Sequence, residues 1–153
     1  QALAAFRTHY ARENGCHAHP YPGVVDGLRA LKARGLPLGV VTNKPDVFIA
    51  PLLEKTGLSG FFDVLVGGDT LPRIKPDPMP VVWACGRLGA LPKETLFVGD
   101  SLNDALAARA AGCPVFLLPY GYNEDQDVQH LDCDAIIAAI SDIEPHLRTV
   151  GRP

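Results

Sequence analysis

Two carboxylates four residues apart, Asp100 and Asp104 in "LFVGDSLND", are the first candidates for chemistry in this sequence. Asp100 comes directly after the apolar run Leu96 to Val98 and Gly99. An acid there can offer hard oxygen to a cation such as Mg2+, which keeps several of its waters, or it can close a turn on nearby backbone. Ser101 and Asp104 have the spacing of a helix N-cap and a first-turn acid, and that position also favours negative charge. Such an acid can cap the helix and still orient a lysine or a metal-bound water. A third candidate group is Thr42 and Asn43, at the end of "LPLGVVT". A hydroxyl, an amide and free N–H groups ahead of a helix form either an anion cradle or an ordinary cap. Lys75 stands alone in "IKPDP". Lone lysines are usually solvated, but one anchored before a proline can present a fixed ammonium to phosphate.

The elements that must position these residues alternate in type. Residues 2–13 carry Leu3, Phe6 and Tyr10 at helical spacing. Residues 24–34 repeat that spacing through Val25, Leu28 and Leu31, and Gly35 stops them. Residues 36–42 form a short, continuously apolar run, the pattern of a strand buried on both faces. Residues 46–57 predict a helix kinked or shortened at its start by Pro51, 61–68 a strand, and 77–89 a helix with prolines at its start. Residues 95–99 predict a strand, 102–111 an alanine-rich helix closed by Gly112, and 114–119 a strand. A weak strand (134–140) and a short helix (141–147) finish the series. This alternation predicts an α/β doubly wound (Rossmann-like) parallel sheet with helices on both faces. Chemistry in such sheets gathers at the carboxyl ends of the strands, where Thr42, Asn43, Asp100, Ser101 and Tyr120 fall.

Bulk properties narrow the function classes. The chain has 153 residues, 47% hydrophobic and 20% charged, with a formal net charge of −3. Those values suit one ordinary globular core and argue against a nucleic-acid or anionic-membrane surface. No apolar run approaches the roughly 20 residues that span a bilayer. "QALAAFRTHYARENG" lacks the charged-then-apolar order of a signal peptide. Cys16, Cys85, Cys113 and Cys133 include no C-x-x-C pair and read as reduced thiols of a cytoplasmic protein. "CHAH" (16–19) has no second ligand pair and reads as a loop.

Taken in order, these groups resemble the haloacid dehalogenase-like hydrolase superfamily. "GVVTN" with Thr42 is similar to its second motif, Lys75 in "IKPDP" to its third, and "VGDSLND" with Asp100 and Asp104 to its fourth. The wider wording, from Pro20 to about Pro145, is similar to the superfamily's small-molecule phosphatases. The resemblance implies an Mg2+-dependent phosphomonoesterase working through an aspartyl-phosphate. The substrate would be a small phosphorylated metabolite, 2-phosphoglycolate foremost. It implies that Asp100 ligates Mg2+, that Thr42 and Asn43 contact phosphate, and that Lys75 neutralises the nucleophile–phosphate pair. Asp104 would orient Lys75 or a metal-bound water, with Ser101 beside it. A dimer is compatible with this reading.

One motif of the family is missing. Its first motif is Asp-x-Asp-x-Thr after an N-terminal apolar strand, and it supplies the nucleophile. The Asp125/Asp127 pair lies in a polar loop, and the Asp132/Asp134 pair precedes its apolar run instead of following it; both are rejected. The expectation is a fragment of a longer enzyme, inactive alone: a cap remnant and linker at 1–19 and an incomplete core at 20–153. The central strand between 36–42 and 95–99 would be absent, leaving two buried edges to face a gap. Lys75→Ala is then expected to lower turnover in the intact protein with little effect on the fold. A phosphosugar mutase or pyrophosphatase shares these motifs, and a non-catalytic anion-binding or interaction module is the alternative from another class.

Overall fold

Three apolar segments, Leu38–Val41 (β2), Thr95–Gly99 (β4) and Val115–Leu117 (β5), are buried along their whole length. Strands of that kind need covering on both faces. The structure is a computed structural model; it describes residues 19–120 and 127–147, and the backbone alone of residues 3–5. Helices Val24–Ala33 (α1) and Ile49–Lys55 (α2) cover one face of the sheet. Helices Met79–Arg87 (α3) and Leu102–Ala111 (α4) cover the other. β4 feeds both cores by alternation, sending Leu96 and Val98 into the first and Phe97 into the second.

The sheet has six parallel strands in the order β3-β2-β1-β4-β5-β6, where β1 is Leu3–Ala5, β3 Val64–Val66 and β6 Ala135–Ile136. The chain winds from β1 out to β3, then crosses back to β4 and winds the other way. The reversal lies between β1 and β4, and in open α/β sheets ligands bind in the crevice at that point. The α/β doubly wound class holds.

The expected gap does not. Leu3–Ala5 occupies it, pairing in parallel with β2 (Ala4 with Leu38) and with β4 (Ala4 with Leu96). Two buried edges carry rows of unpaired N–H and C=O groups, and a short extended segment satisfies both at once. That demand overrides the helical spacing read over 2–13, at least at Leu3–Ala5. The rest of the expected helix and cap remnant, with "CHAH" up to Ala18, lies outside the described residues.

Other boundaries moved for local reasons. Before α2 a 3-10 turn (Asp46–Phe48) takes up the bend, so Pro51 falls in the first helical turn, where no N–H is needed. The C-terminal pair shrinks to β6 and the 3-10 turns Ile140–Asp142 and Glu144–His146. Cys85, Cys113 and Cys133 are free thiols, as read. No helix among the described residues is long and apolar enough to cross a membrane.

Candidate active site

β4 delivers Asp100 straight to the carboxyl edge of the sheet, 3% exposed. Ser101 then caps α4 from an extended backbone (φ −138°, ψ 165°), its Oγ accepting the Asp104 N–H at 3.3 Å. The Asp104 side chain reaches further than the helix start. Its Oδ2 accepts the N–H of Asp100 at 3.0 Å, and its Oδ1 lies 2.6 Å from Lys75 Nζ. Gly99 makes this possible, because a Cβ there would fall 2.7 Å from Asp104 Oδ2 and collide with the Asp104 stem.

Lys75 is the largest fully buried side chain among the described residues, 1% exposed, in a loop whose neighbours Pro72, Arg73, Ile74 and Pro76 are exposed. The usual solvated lysine is therefore not what this position holds. Besides Asp104, its Nζ donates to the carbonyl of Val41 at 2.8 Å and sits 5.6 Å from the Phe97 ring centre. Val41 ends β2 and Asp104 follows β4, and β1 lies between those two strands. The ammonium thus spans the carboxyl end of β1.

Thr42 extends β2 by donating its N–H to Val66 O at 2.9 Å, and its Oγ1 accepts the Lys44 N–H at 3.2 Å. Asn43 holds the lysine loop. Its amide clips the Lys75 backbone, Nδ2 donating to Lys75 O at 2.9 Å and Oδ1 accepting the Lys75 N–H at 3.0 Å. The peptide unit of Lys75 needs both a donor and an acceptor, and this amide supplies the two. Sequence reasoning did not find this clip; the hint was "GGD" after β3. A Cβ on Gly68 would collide with the Asn43 carbonyl, so glycine lets the two loops touch. Beyond them Asp46 N–H donates to Asp69 Oδ1 at 2.7 Å, which holds the Asp69 carboxyl below the usual range.

The rejected acids have structural work. Asp132 and Asp134 both pair with Arg109, at 3.1 and 2.8 Å, and Asp134 also accepts the Val115 N–H. Asp127 caps a 3-10 turn through Gln129 N–H; Asp125 lies outside the described residues.

For a metal, no group of three or more His, Cys, Asp or Glu converges among the described residues. Among the described residues, Asp100 brings a hard carboxylate to the switch point, where Asp104 pairs with Lys75 and with backbone. One carboxylate with waters and substrate phosphate suits Mg2+, which is rarely caged by protein groups alone, and does not suit zinc. The residues present fit Mg2+ to that extent.

A switch-point aspartate, a buried lysine–aspartate pair and a threonine at the neighbouring strand end define a class. A family profile for haloacid dehalogenase-like hydrolases matches residues 1–118, and the chain belongs to that family. It is 49% identical over 142 residues to the phosphoglycolate phosphatase of Thiobacillus denitrificans, covering 93% of this chain and 63% of that protein. Against the phosphoglycolate phosphatase of Escherichia coli the identity is 48% over 127 residues, covering 83% and 50%. A solved structure, a predicted phosphoglycolate phosphatase from Haemophilus somnus, superposes with a TM-score of 0.83 at 43% identity, covering 88% of this chain and 60% of that one. The chain spans one half to under two thirds of the length of these relatives.

Proposed function

We propose that the chain carries the phosphate- and magnesium-binding part of a phosphomonoesterase that acts on a small phosphorylated metabolite, 2-phosphoglycolate foremost. The supporting observation is the Lys75 ammonium, buried against Asp104 and Val41 O and spanning the carboxyl end of β1. A phosphoryl group in transfer spreads negative charge over its equatorial oxygens, so positioned positive charge is what the site must supply. Lys75 supplies it without searching rotamers, because Asp104 holds Nζ and Asn43 holds the backbone. Thr42 would take a phosphoryl oxygen through its hydroxyl. Asp100 would hold Mg2+, which when bound polarises a phosphoryl oxygen. The substrate assignment rests on the named relatives.

In this reading the phosphoryl group passes to an aspartate emerging from the end of β1. That position reads Leu3-Ala4-Ala5-Phe6 here, so the 153 residues by themselves are expected not to turn over. The same observation favours the second reading, an anion-binding module without catalysis. Grafting an apolar strand ending in Asp-x-Asp-x-Thr onto the β1 position separates the two. The grafted chain, assayed for phosphate release with Mg2+, should hydrolyse 2-phosphoglycolate in preference to glucose 6-phosphate and pyrophosphate. A folded graft that releases no phosphate from any of them would leave the binding module standing.

A further inference from the structure

α3 buries Val81, Ala84 and Cys85 against the sheet. A helix with one buried side normally turns polar residues to water on the other, as α1 does with Asp26 and Arg29. α3 does not. Met79, Val82 and Trp83 stand 41%, 46% and 37% exposed, and Gly86 is open, with nothing within 4 Å of a Cβ there. Counted from Met79, the steps of three, four and seven residues put all four on one stripe. Arg87 is the only charged residue of the helix, and its guanidinium lies 5.6 Å from the centre of the Trp83 ring.

Trp, Met and Arg are the residue types enriched where proteins meet. The order of residues along the stripe says what meets it. Its two ends carry opposite charge: Asp77, fixed just before α3 by accepting the Met79 N–H at 2.8 Å, and Arg87 at the last helical position. A second α3 laid antiparallel brings the acid of each helix to the base of the other. A twofold axis midway between Val82 and Trp83 also sets Val82 opposite Trp83. It sets the flexible Met79 opposite the open ground at Gly86, so large side chains meet small ones. Such self-complementary order is what a twofold interface requires. We propose that the outward face of α3 is the interface of a homodimer, packed antiparallel on α3 of a second copy of this chain, with Asp77 of each copy facing Arg87 of the other. The inference stands apart from the phosphatase reading, because α3 supplies none of the residues at the switch point.

Trp83 is the single tryptophan of the sequence, so its fluorescence reports on this face alone. Sedimentation equilibrium of the 153-residue chain should give twice the 16.4 kDa of one chain. On dilution the mass should fall toward one chain while the Trp83 emission moves to the red. Trp83→Glu should sediment as a monomer throughout; if that variant does not fold, Val82→Glu, at a more exposed position, replaces it. Arg87→Asp and Asp77→Arg, each checked for a native circular dichroism spectrum, should associate about 10-fold more weakly or worse alone, because like charges then meet at both ends. Mixed, the two variants should recover association, because the mixed pair restores both attractions. A native chain that stays monomeric from micromolar to millimolar concentration overturns the inference. If Trp83 is shielded from iodide in that monomer, a segment of the same chain covers the face instead. A dimer that survives Trp83→Glu or Val82→Glu uses another surface and overturns it as well. So does a mixture of the two folded charge variants that associates no better than either alone.

Discussion

Lys75 Nζ and Asp104 Oδ1 lie 2.6 Å apart, and neither side chain exposes any surface. Taking two charges out of water is costly, and a hydrophobic pair of the same volume often folds at least as well. This pair also fastens an otherwise exposed loop to the N-terminal turn of α4, and through Val41 O to the end of β2. Its retention is understandable if the ammonium is needed at the switch point.

Removing the lysine alone should therefore damage the fold. Lys75→Met leaves the Asp104 carboxylate buried without its counter-charge, a loss of about 3–5 kcal/mol. Urea denaturation should show a lowered midpoint, and adding Asp104→Asn should recover part of it. The sequence led to the opposite expectation for Lys75→Ala, because it does not show that this lysine is buried. A Lys75→Met midpoint equal to that of the native chain would mean the pair is open to water.

Asn43 offers a second contrast. Asn43→Ala leaves the Lys75 N–H and C=O without their amide partner, at a cost of roughly 1–3 kcal/mol. Had Asn43 served phosphate alone, the same substitution would leave the melting temperature untouched and weaken only anion binding. Thermal denaturation without phosphate distinguishes the two.

Two glycine substitutions should move in opposite directions. Gly99→Ala drives a methyl group into the Asp104 carboxylate and should cost about 1–3 kcal/mol while displacing the Lys75 contact. Gly86→Ala, on the exposed side of α3 with nothing within 4 Å of the new methyl, should stabilise by about 0.5–1 kcal/mol through helix propensity. Paired denaturation curves check both signs.

Acid should weaken the fold in a defined window. Arg109 beside Asp134, aided by the Val115 N–H, holds that carboxyl below its ordinary range; the Leu38 N–H and Lys32 do the same for Asp63. Both groups bind protons more readily when unfolded. Their contribution is present above an ordinary carboxylate pKa of about 4 and is lost as pH falls below it. Both are partly solvated, so the effect is modest. Asp134→Asn should flatten the acid limb of a plot of stability against pH, and an unchanged limb would contradict this.

What could be read from the sequence was what local pattern controls. The continuous apolar run of β4, the Ser101 cap and the Gly112 stop of α4 each carry their cause within a few residues, and they placed Asp100 and Asp104 correctly. β1 could not be read, because its cause is the unmet pairing of two strands 33 to 92 residues away in sequence, measured from Ala5 to Leu38 and from Leu3 to Thr95. The Asn43 clip spans 32 residues and the Lys75–Asp104 pair 29. Motif spacing brought these residues to one edge without saying which side chain would serve which partner.

In the proposed function, Asp100 and its neighbours form a phosphoryl-transfer site once a nucleophile stands at the end of β1. Phosphate release from 2-phosphoglycolate, measured against Mg2+ concentration in the grafted chain and in its Asp100→Asn variant, tests it most directly. The graft should show saturable, magnesium-dependent release, and the variant only background release at every magnesium concentration. Equal release by both, or release indifferent to magnesium, would contradict it and return Asp100 to the role of a turn aspartate.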